Sequence, residues 1–191
     1  DEFIGDVISS LRSCGFSLIA VDGTNGIEVG TSRAWKLAKE FKVPKAVLIN
    51  RLDRENADFF TVLEQLQEIY GKNVCIPITI PIGSKNNLSS VLNVLTAEDN
   101  EIPDDLKDYV AKFKEQLMDT VAESNEDLMN RYLDGEKLSE EEISKGLHGA
   151  IMDGSFVPVF AGSAVKDVGI TELMDCLVTY MPTPLERIRP A

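Results

Sequence analysis

The side chains best placed to do chemistry stand in the run Asn50-Arg51-Leu52-Asp53, directly after the apolar residues 45–49. An ionised carboxylate accepts two parallel hydrogen bonds. Asp53 could therefore accept from N1 and the exocyclic amine of guanine, two donors that adenine lacks. A plain alternative is a turn that ends a strand, because Asn and Asp both favour turns through local side-chain hydrogen bonds. The run is thus a candidate base-recognition loop.

A second run has the same pattern of an apolar strand that leads into a loop of small residues. Residues 159–161 are apolar, and Gly162, Ser163 and Ala164 follow them. Small residues let backbone N–H groups approach a ligand such as the purine O6. In open α/β folds, ligands bind at the carboxyl edge of the sheet, where loops from distant parts of the chain converge. We therefore expect the two loops to meet there, and their combination is more specific than either loop alone.

Hydrophobic patterning predicts the elements that position these loops. Short apolar runs typical of buried strands cover residues 16–21, 46–49, 76–82 and 157–160. Stripes with helical period cover residues 31–42, 57–70 and 169–180. Strands that alternate with helices indicate an α/β fold with a parallel sheet, right-handed crossovers and flanking helices.

Residues 84–155 interrupt this alternation. A long amphipathic helix is expected from about Asp104, with a break near Gly135, and a second helix is expected to begin at Ser139. Glu142 follows Ser139 by three residues, which is the spacing of a capping box. We therefore predict a core from residues 1–83 and 156–185, a largely helical inserted subdomain from residues 84–155, and a linker from residues 186–191.

The formal net charge is −13, and most of it lies in residues 98–142, which we call the acidic segment. This segment holds sixteen acidic and five basic residues, a local balance of −11. Such a surface repels nucleic acid phosphates, which argues against DNA binding, and it favours docking to a basic protein surface. The alternative is a solvated helix exterior.

Other reactive residue types are isolated in the sequence. Cys14, Cys75 and Cys176 are scattered in apolar surroundings, which indicates buried reduced thiols of a cytoplasmic protein. The single histidine, His148, is expected to be exposed or internally bonded, and Trp35 is expected to pack in the core. Neither metal-ligand spacing nor a catalytic triad is present, and no apolar run reaches the roughly 20 residues of a membrane helix.

The sequence resembles the GTPase domain of bacterial translation elongation factor G along nearly its whole length. The similar segments are residues 20–28 (AVDGTNGIE), 50–54 (NRLDR) with 57–59 (ADF), 77–83 (PITIPIG), 160–169 and 180–184 (YMPTP). The resemblance implies a partial P-loop GTPase-type fold, and it identifies residues 84–155 with the subdomain that this family inserts.

For the site, the resemblance implies that Asn50 and Asp53 recognise guanine and that Ser163 and Ala164 close on the base of GTP or GDP. Arg51 departs from the family's usual lysine, whose stem packs over the purine. An arginine can stack there too, but its planar fork is not equivalent to an ammonium group, so an altered base affinity is expected.

The sequence contains no Gly-x-x-x-x-Gly-Lys-Ser/Thr loop, no switch I threonine segment and no Asp-x-x-Gly motif before the first predicted helix. We therefore expect a fragment of a ribosome-dependent GTPase that drives translocation, with no catalytic residues and with the magnesium ligands outside it. The fragment alone should not hydrolyse GTP. The stretch between Leu95 and Ile102 is also shorter than in the family.

The resemblance implies the ribosome as the partner, with the ribosomal stalk protein contacted through the inserted helices, in the cytoplasm. Three alternatives stay open. The chain could belong to an elongation factor G-like paralogue with another role, it could be a protein-binding module with an inert nucleotide site, or it could be a degenerate structural domain.

Overall fold

The computed structural model describes residues 4–186, except for the side chain of Asn86. The last five residues of the predicted linker, 187–191, lie outside the described residues. Among the described residues, no helix is long and apolar enough to span a membrane.

The predicted parallel sheet is present and has four strands. They are β1 (Ser17–Asp22), β2 (Lys45–Asn50), β3 (Cys75–Pro77) and β6 (Val157–Ala161), in the order β1-β2-β6-β3. All three pairings are parallel. The two central strands, β2 and β6, are almost entirely buried because elements cover both of their faces, which explains their continuous apolar sequences.

Seven α-helices surround the sheet within the described residues. They are α1 (Ile4–Ser13), α2 (Val29–Glu40), α3 (Phe59–Tyr70), α4 (Lys107–Glu123), α5 (Glu126–Leu133), α6 (Glu140–Asp153) and α7 (Ile170–Tyr180).

Short polar side chains determine where several of these helices begin. Asp58 caps α3 by accepting from the Thr61 N–H at 3.0 Å. The predicted capping box of α6 is confirmed, with Ser139 and Glu142 bonding each other's backbone N–H groups.

The prediction of one strand over residues 76–82 was wrong. This run forms β3 and then a separate strand, β4 (Thr79–Ile82), which leaves the parallel sheet and pairs antiparallel with β5 (Ser90–Asn93). Ile78 lies at the junction, where its N–H donates to Val159 O and its carbonyl accepts from Val94 N–H. Strand β5 was not predicted because it is short and has polar residues at both ends.

Helices α4 and α6 share one hydrophobic core with the sheet. The core cluster contains α4 residues such as Phe113 and Leu117 and α6 residues such as Leu147, together with Val159 of β6. A smaller cluster is formed by Leu11 of α1, Ala38 of α2 and Val43, and partly buried hydrophobic side chains pack against it. The boundaries proposed for an inserted subdomain stay a prediction.

Candidate functional site

Both candidate loops begin at the carboxyl edge of the sheet, on neighbouring strands. Ile49 of β2 pairs with Ala161 of β6, so Asn50 and Gly162 leave the sheet side by side. The backbones then bond each other, because the Gly162 N–H donates to Ile49 O and the Leu52 N–H donates to Gly162 O. As expected from the order of strands and loops, the two runs meet at one edge.

Asn50 links the two loops through a single oxygen. Its Oδ1 accepts from the backbone N–H of Arg51 at 2.8 Å and from that of Ala164 at 3.0 Å. The N–H of Ala164, which was expected to face a purine O6, is therefore engaged by Asn50. It would reach a base oxygen only as a shared donor or after the Asn50 amide turns.

Asp53 is held by the buried hydroxyl of Ser163, which donates to Asp53 Oδ1. This hydrogen bond lowers the pKa of Asp53, and the nearby positive charges of Lys166 and Arg54 lower it further, against the opposing effect of burial. The side chain is therefore a carboxylate at neutral pH. A carboxylate has about four acceptor positions, so one bond from Ser163 leaves capacity for two more donors.

Ser163 is itself fixed by a tight loop. Its N–H donates to Val168 O at 2.9 Å, the Val168 N–H donates back to Ser163 O at 3.1 Å, and its hydroxyl accepts from the Lys166 N–H. Gly169 closes the loop at φ 77°, and a Cβ there would lie 2.4 Å from the carbonyl oxygen of Ala161. The small residues after β6 thus permit a backbone path that larger residues would block.

Arg51 reaches a different partner from the one expected. Its guanidinium Nη1 lies 2.7 Å from Asp22 Oδ2, at the end of β1, and its side chain is 48% exposed. The N–H of Thr24 chiefly lowers the pKa of Asp22, with a contribution from Arg51. Asp22 was not predicted as a site residue, although its position at the end of the strand beside β2, opposite Asn50, was the available signal.

Backbone strain is concentrated around these loops. Arg51, Lys85 and Asp167 all have φ between 57° and 64°, which is uncommon for residues other than glycine. The Lys85 N–H donates to Leu52 O at 3.2 Å, and Asp167 lies within the Ser163–Val168 loop. Such conformations cost on the order of 1 kcal/mol each and concentrate at ligand sites.

The remaining predicted residues have structural surroundings. Trp35 is buried and stacks on Tyr70, and all three cysteines are free thiols, with Cys75 and Cys176 buried. His148 Nδ1 lies 3.1 Å from Tyr180 O. Within residues 4–186, no group of three or more His, Cys, Asp or Glu side chains could hold a metal ion.

The donor and acceptor set at the carboxyl edge fits a guanine base better than a metal or a covalent substrate. Asp53 supplies an ionised acceptor with spare capacity, and the backbone of the second loop lies beside it. The Ser163 hydroxyl is bonded to this carboxylate, whose lowered pKa makes it too weak a base to activate a nucleophile. This arrangement suits recognition and positioning rather than bond cleavage.

Comparison with known proteins identifies the family of the chain. A crystal structure of a protein from Thermus thermophilus is similar over 97% of this chain, with 27% sequence identity and a TM-score of 0.86. The match covers 29% of that protein, so this chain spans less than a third of its length. The family model of the elongation factor Tu GTP binding domain matches residues 1–183, and the chain belongs to that family.

Proposed function

We propose that this chain supplies the guanine-recognition part of a ribosome-dependent translational GTPase of the elongation factor G type, which drives translocation during protein elongation. The main support is that the Asn50–Asp53 loop and the Ser163–Ala164 loop are joined by hydrogen bonds at the carboxyl edge of the sheet. Membership of the GTP binding domain family and the resemblance along the chain support the same proposal.

In this proposal Asp53 accepts hydrogen bonds from N1 and the exocyclic amine of guanine. Ser163 holds the carboxylate in position, and the Ala164 N–H, which donates to Asn50 Oδ1, would be shared with the purine O6. Adenine presents no donor pair to Asp53 and would leave a charged acceptor unsatisfied, which is a strong basis for rejection. The bound nucleotide supplies the phosphoanhydride bond, and these residues select a guanine nucleotide over an adenine nucleotide.

Arg51 has two roles in the proposal. Its ion pair with Asp22 ties the loop after β2 to the end of β1, and the half-exposed guanidinium offers a flat cationic surface beside the base. No Gly-x-x-x-x-Gly-Lys-Ser/Thr loop is present in the 191 residues. We therefore expect guanine binding by this chain without hydrolysis.

The proposed partner surface is the acidic segment, with the ribosome and its stalk protein as the partners. Exposed carboxylates such as Asp108 and Glu115 of α4 carry its charge outward, while the opposite side of α4 is buried in the core. A concentrated negative surface steers and orients a basic partner, and such binding weakens as salt rises.

The substitution Asp53→Asn tests the proposed base recognition directly. Fluorescent GDP, ADP and xanthosine diphosphate are titrated into the wild-type chain and the variant. An asparagine amide can donate to the O2 of xanthine, whereas it cannot accept from both guanine donors. We expect the variant to lose at least about tenfold in GDP affinity and to gain affinity for xanthosine diphosphate.

A gain of affinity cannot result from misfolding, so this experiment separates recognition from stability. Glu64→Gln, an exposed carboxylate on α3, serves as the matched control and should bind as wild type does. Equal binding of GDP and ADP by the wild-type chain would overturn the proposal.

A further inference from the structure

A cavity of about 500 Å³ lies at the opposite edge of the sheet from the candidate guanine site. Lys45, the first residue of β2, lines it, and so does Gly154, which ends α6 before β6 begins. We call it the amino-edge cavity. Asn50 stands five residues along β2 from Lys45, and a strand rises about 3.3 Å per residue, so the two sites are about 16 Å apart.

The amino-edge cavity concentrates positive charge in a strongly acidic protein. Lys39, Lys42 and Lys45 line it, and Asp153 is the one acidic residue among its lining residues. The Asp153 carboxylate accepts from the Ser155 N–H at 2.8 Å. With a formal net charge of −13 for the chain, a local excess of lysines is an unusual feature. Like charges that gather in this way favour a bound anion.

Lys45 is the most constrained of the three lysines. Only 7% of it is exposed, and its ammonium lies 5.2 Å from the centroid of the Trp35 ring. Burial chiefly lowers its pKa, and the charge of Lys39 lowers it further, while the Cys75 thiol acts in the opposite direction. No carboxylate among the described residues forms an ion pair with it. A buried ammonium without an anionic partner is costly, and a bound anion would relieve that cost.

The backbone conformation of Lys42 is a second observation that supports a ligand site. It follows the end of α2 with φ 50°, a left-handed conformation that helix ends usually assign to glycine. The other three residues of this kind among those described, Arg51, Lys85 and Asp167, all lie around the candidate guanine site. Lys42 thus lines the cavity in a backbone conformation that favours glycine, and such strained residues concentrate at ligand sites.

The wall of the cavity is partly aromatic. The rings of Trp35 and Tyr70 stack with centroids 3.8 Å apart, and both residues line the cavity. The volume lies within the range of about 300 to 1,000 Å³ that is typical of small-molecule sites and exceeds the needs of a lone phosphate ion. The lining thus combines ammonium groups with an apolar surface.

We propose that the amino-edge cavity binds a small organic molecule that carries phosphate, with Lys39, Lys42 and Lys45 holding the anion against the Trp35–Tyr70 wall. Lysine ammonium groups bind phosphate as point charges without a fixed hydrogen-bond geometry, which suits two exposed lysines and one buried lysine that line the same cavity. This site is separate from the proposed guanine site and does not depend on it.

Trp35 is the single tryptophan of the chain and lines this cavity, so tryptophan emission can be followed there without background from other tryptophans. We would titrate the chain with inorganic pyrophosphate at constant ionic strength and follow the emission of Trp35. A saturable change is expected. In ¹⁵N spectra, the shifts should move at residues 42, 45 and 154 and stay unchanged at residues 50, 53 and 163.

Two exposed lysines of α2 provide a matched pair of variants. Lys39 lines the cavity, whereas Lys36, one turn earlier and next to Trp35, does not. We expect Lys39→Gln and Lys42→Gln each to raise the dissociation constant by about three- to tenfold, and Lys36→Gln to change it less than about twofold.

Three outcomes would overturn the proposal. One is the absence of saturation up to about 20 mM pyrophosphate, well above the millimolar range of weak specific sites. Another is an equal loss of affinity in the Lys36 and Lys39 variants, which would indicate general charge screening. The third is a set of shift changes confined to residues 50–53 and 163–164, which would place the anion at the guanine site.

Discussion

Ser163 is the residue that most directly controls the proposed base contact. Its hydroxyl donates to Asp53, and this hydrogen bond is the main cause of the lowered pKa of that carboxyl. Because the pKa in the folded state lies below the ordinary value of 3.8, ionised Asp53 stabilises the fold at all pH above 3.8. The contribution is lost as pH falls through the folded-state pKa.

We expect Ser163→Ala to raise the pKa of Asp53 toward 3.8 and to weaken GDP binding by about tenfold at pH 7. The first effect follows from the lost donor, and the second from the lost orientation of the carboxylate. Carboxyl ¹³C titration measures the pKa, and nucleotide titration measures the affinity. Ser155→Ala, which removes a hydroxyl bonded to Ala150 O away from this site, is the control and should leave both values unchanged.

At the residue scale, the meeting of the two loops could be predicted from sequence, because the carboxyl ends of neighbouring parallel strands converge. The partner of Arg51 could not. A long side chain has many rotamers, and its direction here depends on the positive φ of Arg51, which the sequence does not reveal. Nor could the bond from the Ala164 N–H to Asn50 be predicted, because it depends on the orientation of the Asn50 side chain.

Among the elements, the loop between β6 and α7 depends on Gly169. An added Cβ would clash with Ala161 O at 2.4 Å and would force a side chain into φ 77°. We expect Gly169→Ala to lower the free energy of unfolding by about 2 to 4 kcal/mol and to weaken GDP binding, because Ser163 would shift with the loop. Urea unfolding and nucleotide titration test the two effects.

Gly149→Ala is the matched control for that substitution. Gly149 lies within α6, and nothing lies within 4 Å of a Cβ added there. Alanine favours a helix interior over glycine by about 1 kcal/mol, so this variant should be as stable as wild type or more stable. Equal destabilisation by both substitutions would contradict the role assigned to the loop.

The start of α6 makes stability depend on pH. The Ser139 N–H chiefly lowers the pKa of Glu142, to about 2, with further help from Arg131. The ordinary value is 4.5, so the capping contribution is complete above pH 4.5 and is lost as pH falls from 4.5 to about 2.

We therefore expect wild type to lose more stability than Glu142→Gln between pH 5 and pH 3, in urea unfolding experiments that cover the upper part of this titration. The glutamine variant keeps a polar group at the same position but has no carboxylate to protonate. Glu123→Gln, at the exposed end of α4, should follow wild type across the same range. A parallel loss in wild type and Glu142→Gln would argue against the capping carboxylate as the cause.

The elements that could be predicted were those with strong periodicity. Buried β2 and β6 are continuous apolar runs, and the capping box of α6 follows from residue types at a fixed spacing. The division of residues 76–82 into β3 and β4 depends on tertiary pairing with β6 and β5, which no local pattern encodes. For such short strands, tertiary contacts determine whether the pairing is parallel or antiparallel.

Across the whole molecule, charge is distributed unevenly. The acidic segment carries a balance of −11, whereas three lysines surround the amino-edge cavity and the candidate guanine loops hold Arg51, Arg54 and Lys166. The proposed phosphate-bearing ligand thus faces positive side chains, and the proposed protein partner faces negative ones. This separation lets one small domain bind an anion and a basic protein surface without competition between the two charges.

Charge reversal on the acidic segment tests its proposed role in ribosome binding. We expect Asp108→Lys with Glu115→Lys to weaken binding to ribosomes or to isolated stalk protein by about tenfold at low salt, because two attractive contacts become repulsive. Sedimentation or surface binding assays at increasing salt measure this effect. The difference between wild type and variant should shrink once the Debye length falls to about 3 Å near 1 M salt.

Glu64→Lys with Glu68→Lys changes the net charge by the same amount on α3, outside the acidic segment. If binding depends on the location of the charge, this control should weaken it less than about twofold. Equal losses in the two double variants would mean that only net charge matters, and the acidic segment would then be a solvated exterior rather than a docking surface. Because all four positions are exposed, neither variant removes a side chain from the core.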